Sequence, residues 1–99
     1  MDAGKSIRTA VDTGKVILGE RETLRAVKNG DVKLVILASN CPSALKEELM
    51  FCTKISSVHV YEYPGSSREL GSACGKPFTV LMLGVVEAGD SNIFELGRR

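Results

Sequence analysis

Strict alternation of helix-period and strand-period segments predicts an α/β fold, a three-layer α/β/α sandwich with helices on both sides of a four-stranded mixed sheet. Two further observations support it. The aliphatic run Leu34-Val35-Ile36-Leu37-Ala38 is too short for a helix and has the pattern of a strand covered on both faces. The 99-residue length fits one domain, 1–99, with no second unit.

The elements follow in chain order. Ile7, Ala10 and Val11 recur at i, i+3 and i+4, and Gly14 sits where a C-cap glycine belongs, which predicts a helix over 3–13. A short strand, 15–18, comes next. Glu20 and Glu22 then occupy the first turn of a second helix, where carboxylates complement the macrodipole, and Asn29-Gly30 ends it near residue 29. Residues 33–38 are the central strand. Pro42 fits the first position of a third helix, whose Ala44, Leu45, Leu49, Phe51, Cys52 and Ile55 make a wide apolar arc. Residues 58–63 form the next strand, broken by Pro64-Gly65. Ser66 with Glu69 is a capping box opening a short helix that stops at Gly75. The last strand is expected over 79–86. After the turn Gly89-Asp90-Ser91, Ile93, Phe94 and Leu96 are available to cover one more hydrophobic edge. No internal repeat, low-complexity stretch or linker interrupts this order.

Composition narrows the function classes. The chain is 43% hydrophobic and 25% charged, close to the soluble average, so it is expected to fold on its own core. Thirteen Lys and Arg against twelve Asp and Glu give a net charge of +1, so nucleic-acid binding must come from a local patch. The apolar runs Leu34 to Ala38 and Val80 to Leu83 fall far short of a membrane span of about 20 residues. The first residues lack the apolar stretch of a secretory signal. A soluble, cytoplasmic protein without membrane partners is expected. Cys41, Cys52 and Cys74 are odd in number and include no C-x-x-C pair, which fits reduced, buried thiols.

Catalytic and cofactor fingerprints are missing. Gly71-Ser72-Ala73-Cys74-Gly75-Lys76-Pro77 is one residue short of a phosphate-binding loop and puts Pro where the metal-binding hydroxyl belongs. It also closes a helix instead of opening one. G-x-G-x-x-G, G-x-S-x-G and H-E-x-x-H do not occur. His59, the single histidine, alternates with apolar residues in a strand and reads as a surface or edge position, with no carboxylate or thiolate at ligand spacing. No catalytic residue, metal or cofactor is therefore assigned.

Three features carry more information. Arg21, Arg25 and Lys28 fall at i, i+4 and i+7, a like-charge stripe about 60° wide beside Leu24 and Val27. Such stacking costs roughly 0.2–0.5 kcal/mol per pair in an isolated helix, partly offset by Glu22, and so suggests an anionic partner; an ordinary solvated face is the equal alternative on these residues alone. The corner Ala38-Ser39-Asn40-Cys41-Pro42 presents backbone N–H groups and an amide at a helix N-terminus, suited to a phosphate or a base edge; the plainer role for Asn40 is to cap the turn. Leu83 to Gly89 runs apolar past the end of the last strand, as core or as a platform for unstacked bases. All three lie near strand-to-helix corners, where open α/β sheets build sites.

At these corners the sequence resembles a known family. Leu18-Gly19 with Thr23-Leu24-Arg25, the run Lys33 to Pro42, Glu69-Leu70-Gly71-x-x-Cys74-Gly75-Lys76, and Val85-Val86-Glu87-Ala88-Gly89-Asp90-Ser91-x-Ile93 occur in register. Together they are similar to the thirtieth large-subunit ribosomal proteins of archaea and eukaryotes, over nearly the whole domain. Lack of a long basic extension makes the archaeal form the expected one. The resemblance implies membership of a wider group of α/β/α proteins that bind kink-turn RNA, a sharply bent internal loop with sheared G·A pairs and an extruded base. The group's corner pattern G-x-N-E-x-x-K falls on Gly19-Glu20-Arg21-Glu22-Thr23-Leu24-Arg25. Gly19 and Glu22 match and Arg25 keeps the charge, whereas Arg21 replaces an Asn and would pair with a guanine edge or a phosphate.

Lys28 is placed on the same surface by the helical spacing of the stripe; the resemblance further implies that Asn40, Cys41 and Pro42 line the RNA surface, and that Val85, Val86, Glu87 and Gly89 form the loop beside the extruded base. The expected function is a structural ribosomal protein of the large subunit, monomeric when free, that binds a kink-turn in ribosomal RNA. Two rivals are a kink-turn protein of the same fold working outside the ribosome and a small ligand-binding or enzymatic α/β domain.

Overall fold

A computed structural model describes residues 2–97. It contains α1 (Ala3–Thr13), β1 (Lys15–Leu18), α2 (Glu20–Lys28), β2 (Leu34–Leu37), α3 (Ser43–Ser56), β3 (His59–Glu62), α4 (Ser67–Ala73), β4 (Met82–Glu87) and a closing 3-10 helix (Ile93–Gly97). The strands form one mixed sheet in the order β1-β4-β2-β3. β4 runs antiparallel to both β1 and β2, while β2 and β3 are parallel, joined by the crossover through α3. No described helix is long and apolar enough to cross a membrane.

β2 is the centre of the packing, as its aliphatic run requires. All four of its side chains are buried, and the pleat sends them alternately to two cores. Leu34 and Ile36 join Ile7 and Ala10 of α1, Leu70 of α4, Leu83 and Val85 of β4, and Ile93 and Leu96 of the 3-10 helix. Val35 and Leu37 face Leu24 and Val27 of α2, Leu49 and Cys52 of α3, and Met82. Each fully buried aliphatic side chain contributes about 1.5–3 kcal/mol, so both faces of β2 must be covered for the sheet to persist. The result is the three-layer sandwich, with α1, α4 and the 3-10 helix on one face and α2 and α3 on the other. β3 is an edge strand, and His59 at its start is exposed, as its alternating position implied.

Caps set the helix ends. Asp2 accepts the Lys5 N–H at 3.2 Å to open α1, and Gly14 closes it through the Ala10 carbonyl at 2.8 Å. The Ser66–Glu69 capping box is present in both directions, 3.3 and 3.2 Å.

Three expectations change. Pro42 has extended backbone, ψ 143°, so it is the N-cap of α3 and not its first helical residue. β4 begins at Met82, three residues late, because the Val80 N–H is taken by the Ser67 carbonyl of α4 at 2.9 Å instead of a strand. The wide apolar arc of α3 is only partly buried. Leu49 and Cys52 face the core, whereas Ala44 is exposed and Phe51 and Ile55 are 68% and 71% exposed, since α3 has α2 and the sheet on one side only.

Candidate nucleic-acid interface

β1, β2 and β3 all finish at the end of the sheet where antiparallel β4 starts, as the pairs Leu18↔Leu83, Leu37↔Met82 and Leu37↔Glu62 fix. Their corners are stitched together by backbone hydrogen bonds. The Gly19 N–H donates to Met82 O at 2.9 Å, Ala38 N–H to Leu81 O at 2.9 Å, and Ser39 N–H to Gly65 O at 2.9 Å. Gly19 has φ +102°, a conformation that β-carbon-bearing residues rarely adopt, and nothing lies within 4 Å of where a Cβ would sit. Glycine is therefore required by the turn and not by crowding. It aims the first turn of α2 outward from the rim.

That first turn carries Glu20, Arg21 and Glu22. Glu22 and Arg25 form a loose pair at 4.0 Å, both side chains well exposed, so each remains available to a partner. Arg21 has no carboxylate within 4.0 Å among the described residues. Lys28 reaches Glu48 of α3 at 3.6 Å. Arg21, Arg25 and Lys28 together edge a groove of about 680 Å³ between α2 and α3. The stripe read from helical spacing is thus a real surface feature.

The second corner is held from beneath. Asn40 Oδ1 accepts the Ser67 N–H at 2.7 Å and its Nδ2 donates to Ser67 Oγ at 3.2 Å. The side chain thereby fastens the β2–α3 corner to the start of α4. That leaves one amide hydrogen for another partner. Pro42 is exposed and Cys41 half-buried. Burial, reinforced by the Glu20 carboxylate and opposed by Lys46, pushes the Cys41 thiol above its ordinary pKa. Cys52 and Cys74 are buried, as structural thiols should be.

The topology separates the expected base-side loop from the other corners. Val85 is 0% exposed and paired with Val16 and Leu34 inside the sheet. Glu87 pairs with Lys15 at the start of β1, and Asp90, just past Gly89, donates its N–H to Thr13 Oγ1 at 2.9 Å. Val86, Glu87 and Gly89 therefore lie at the opposite end of β4, roughly 17 Å from the rim at 3.4 Å per residue.

What the rim does contain is the loop from Lys76 to Leu81. It turns back along α4, with Lys76 N–H bonded to Gly71 O at 3.0 Å and the Phe78 carbonyl packed against Gly71. Lys76, Pro77, Phe78 and Thr79 are all exposed, Phe78 at 54%. The loop's signal in the sequence is an aromatic ring beside Lys and Pro, just past the helix-ending Gly75.

A rim combining an aromatic ring, exposed cations, an acidic acceptor and backbone corners on a rigid sheet is the equipment of an RNA-recognition domain. The model of the Ribosomal protein L7Ae/L30e/S12e/Gadd45 family matches residues 1–95, and the chain belongs to that family. It is 53% identical over 96 residues to large ribosomal subunit protein eL30 of Methanocaldococcus jannaschii, covering 97% of this chain and 87% of that protein. The eL30 of Methanothermobacter thermautotrophicus is 51% identical over 96 residues, covering 97% and 98%. A solved structure titled as a protein of unknown function from Bacillus halodurans is similar with TM-score 0.83 and 29% identity, over 95% of this chain and 93% of that one.

Proposed function

We propose that this chain is a structural protein of the large ribosomal subunit, working in the cytoplasm, that binds a kink-turn in ribosomal RNA and maintains its bent form. It is not an enzyme; its relatives are ribosomal structural proteins. The observation that carries the reading is the convergence at one sheet end of Arg21, Glu22 and Arg25 in the first turns of α2, the Asn40–Pro42 corner and the exposed Phe78, with the stripe continuing along α2 to Lys28. A protein that contacts only the bent RNA shifts the equilibrium toward it by its differential affinity, with no work done on the RNA. The rim suits that role because its corners are fixed before binding.

Glu22 supplies the specificity. A carboxylate facing a polyanion is unfavourable unless it meets a donor, and a guanine edge is such a donor. Arg21 and Arg25 neutralise phosphates or pair with a guanine edge, and the Phe78 ring stacks on the extruded base. The plainer role for Glu22, support of the α2 N-terminus and of Arg25, is worth only a few tenths of a kcal/mol. Affinities for a kink-turn and for a G·A-disrupted counterpart, measured at equal salt with the wild type and Glu22→Gln, test this. The substitution should reduce discrimination by roughly 1–3 kcal/mol, the scale of one base contact. An unchanged ratio removes Glu22 from recognition, and a wild type that binds both RNAs equally overturns the function itself.

A further inference from the structure

The sandwich carries exposed cations on both of its outer faces. On the α2–α3 face they are Arg21, Arg25 and Lys28. On the α1–α4 face, Arg68, Ser72, Lys76, Phe78 and Thr79 line a second groove of about 270 Å³. Arg68 and Ser72 are exposed one turn apart on α4, whose buried side is Ser67, Leu70 and Gly71. Among the described residues neither Arg68 nor Lys76 has a carboxylate within 4.0 Å. Two unpaired cations and a hydroxyl along one groove, opening beside an exposed aromatic, match a sugar-phosphate strand in chemistry.

We propose that the Arg68–Ser72–Lys76 groove binds the phosphate backbone of one arm of the bent RNA while the α2 stripe binds the other arm. The inference rests on the kink-turn reading and adds to it a division of labour between the two faces. A sharply bent internal loop sends its two helical arms apart from one point. A protein seated at that point with cations on one face only would hold one arm. Cations on both faces hold the angle between them. Arg68 and Ser72 also line the neighbouring hollow between α1 and α4, together with Asp2, Lys5 and Glu69.

The test uses the full chain and three RNAs: a kink-turn with both arms long, and two in which one arm or the other is trimmed to the base pairs next to the loop. Arg68→Ala/Lys76→Ala should bind the two-armed RNA about tenfold more weakly, with a log–log salt slope shallower by about 2. On one of the trimmed RNAs it should match the wild type. Arg25→Ala/Lys28→Ala should show its loss against the other arm. Arg68→Gln/Lys76→Gln, which keeps polarity and helix propensity, should reproduce the first result, and unchanged thermal melting keeps the comparison on binding. The proposal is overturned if the Arg68/Lys76 variants bind all three RNAs like the wild type, or if both double variants lose affinity against the same arm. A wild type that does not distinguish the kink-turn from a G·A-disrupted RNA overturns the function proposed above instead.

Discussion

Replacing Gly71 by Ala should destabilise the protein although alanine is the better helix former. In an open helix the exchange gains up to about 1 kcal/mol. Here a Cβ would press on the backbone carbonyl of Phe78, lie 3.1 Å from its carbon and 3.4 Å from the Thr79 Cα. Backbone cannot rotate aside as a side chain can, so the loop must move. Its anchors on α4 are the Lys76 N–H to Gly71 O and Val80 N–H to Ser67 O bonds, 3.0 and 2.9 Å. Overpacking typically costs about 1–3 kcal/mol, and weakening one anchor adds about 1 kcal/mol. The net expectation is a loss of about 1–3 kcal/mol, with weaker RNA binding because the displaced loop carries Phe78. Gly4 in α1 is the control: a Cβ there meets Asp2 Oδ1 at 3.5 Å and the Tyr63 hydroxyl at 3.6 Å, ordinary contacts. Gly4→Ala should stabilise by a few tenths to about 1 kcal/mol. Urea unfolding with an unchanged m value reads both. A Gly71→Ala protein as stable as the wild type would refute the close approach of loop and helix.

The other expectations can be checked with few variants. Phe78→Ala should leave stability within about 0.5 kcal/mol, since the ring is largely exposed, yet weaken kink-turn binding by about 1–3 kcal/mol; Val86→Ala, at the far end of β4, should leave affinity unchanged in the same titration. Asn40→Ala removes both bonds to Ser67 and strands its N–H, which should cost about 1–3 kcal/mol in denaturant unfolding, with Asn40→Asp losing less because Oδ1 still accepts. Burial, opposed by Lys76, pushes the Cys74 thiol from 9.0 up to about 11. Its contribution is full below pH 9 and falls as pH rises toward 11, because the unfolded thiol ionises first. The wild type should therefore lose about 2–3 kcal/mol relative to Cys74→Ala across that window, measured as the difference of two pH–stability curves.

Much of the fold was legible because its signals are local. The β2 run declares burial on both faces by itself, and the Ser66–Glu69 box and the carboxylates opening α2 mark helix starts within one turn. Periodicity failed on α3, where Phe51 and Ile55 continue the apolar pattern onto a face that no other element covers. Apolar character alone does not tell which side of a helix the sheet will occupy. The start of β4 was misplaced for a related reason, since Thr79-Val80-Leu81 has strand composition but the Val80 amide is captured by α4.

The candidate site divides along the same line. Gly19 to Lys28 was readable because a turn and the helix it opens keep neighbours in sequence together in space. Asn40 was readable as a corner residue but not as the fastener of α4, because its partner Ser67 is 27 residues away. The loop carrying Phe78 depends on contacts of a third kind. Its place at the rim follows from antiparallel β4 beginning where β1 and β2 end, and from a glycine that lets Phe78's carbonyl lie on α4. Neither leaves a mark in the residues of the loop itself. Val85–Gly89, the base-side loop that the resemblance implies, lie at the other end of β4 from Gly19 and Asn40, with the six-residue strand between them. In an antiparallel neighbour, the end of the strand decides which residues share the rim, so the strand's direction had to be known before its flanking residues could be assigned to RNA.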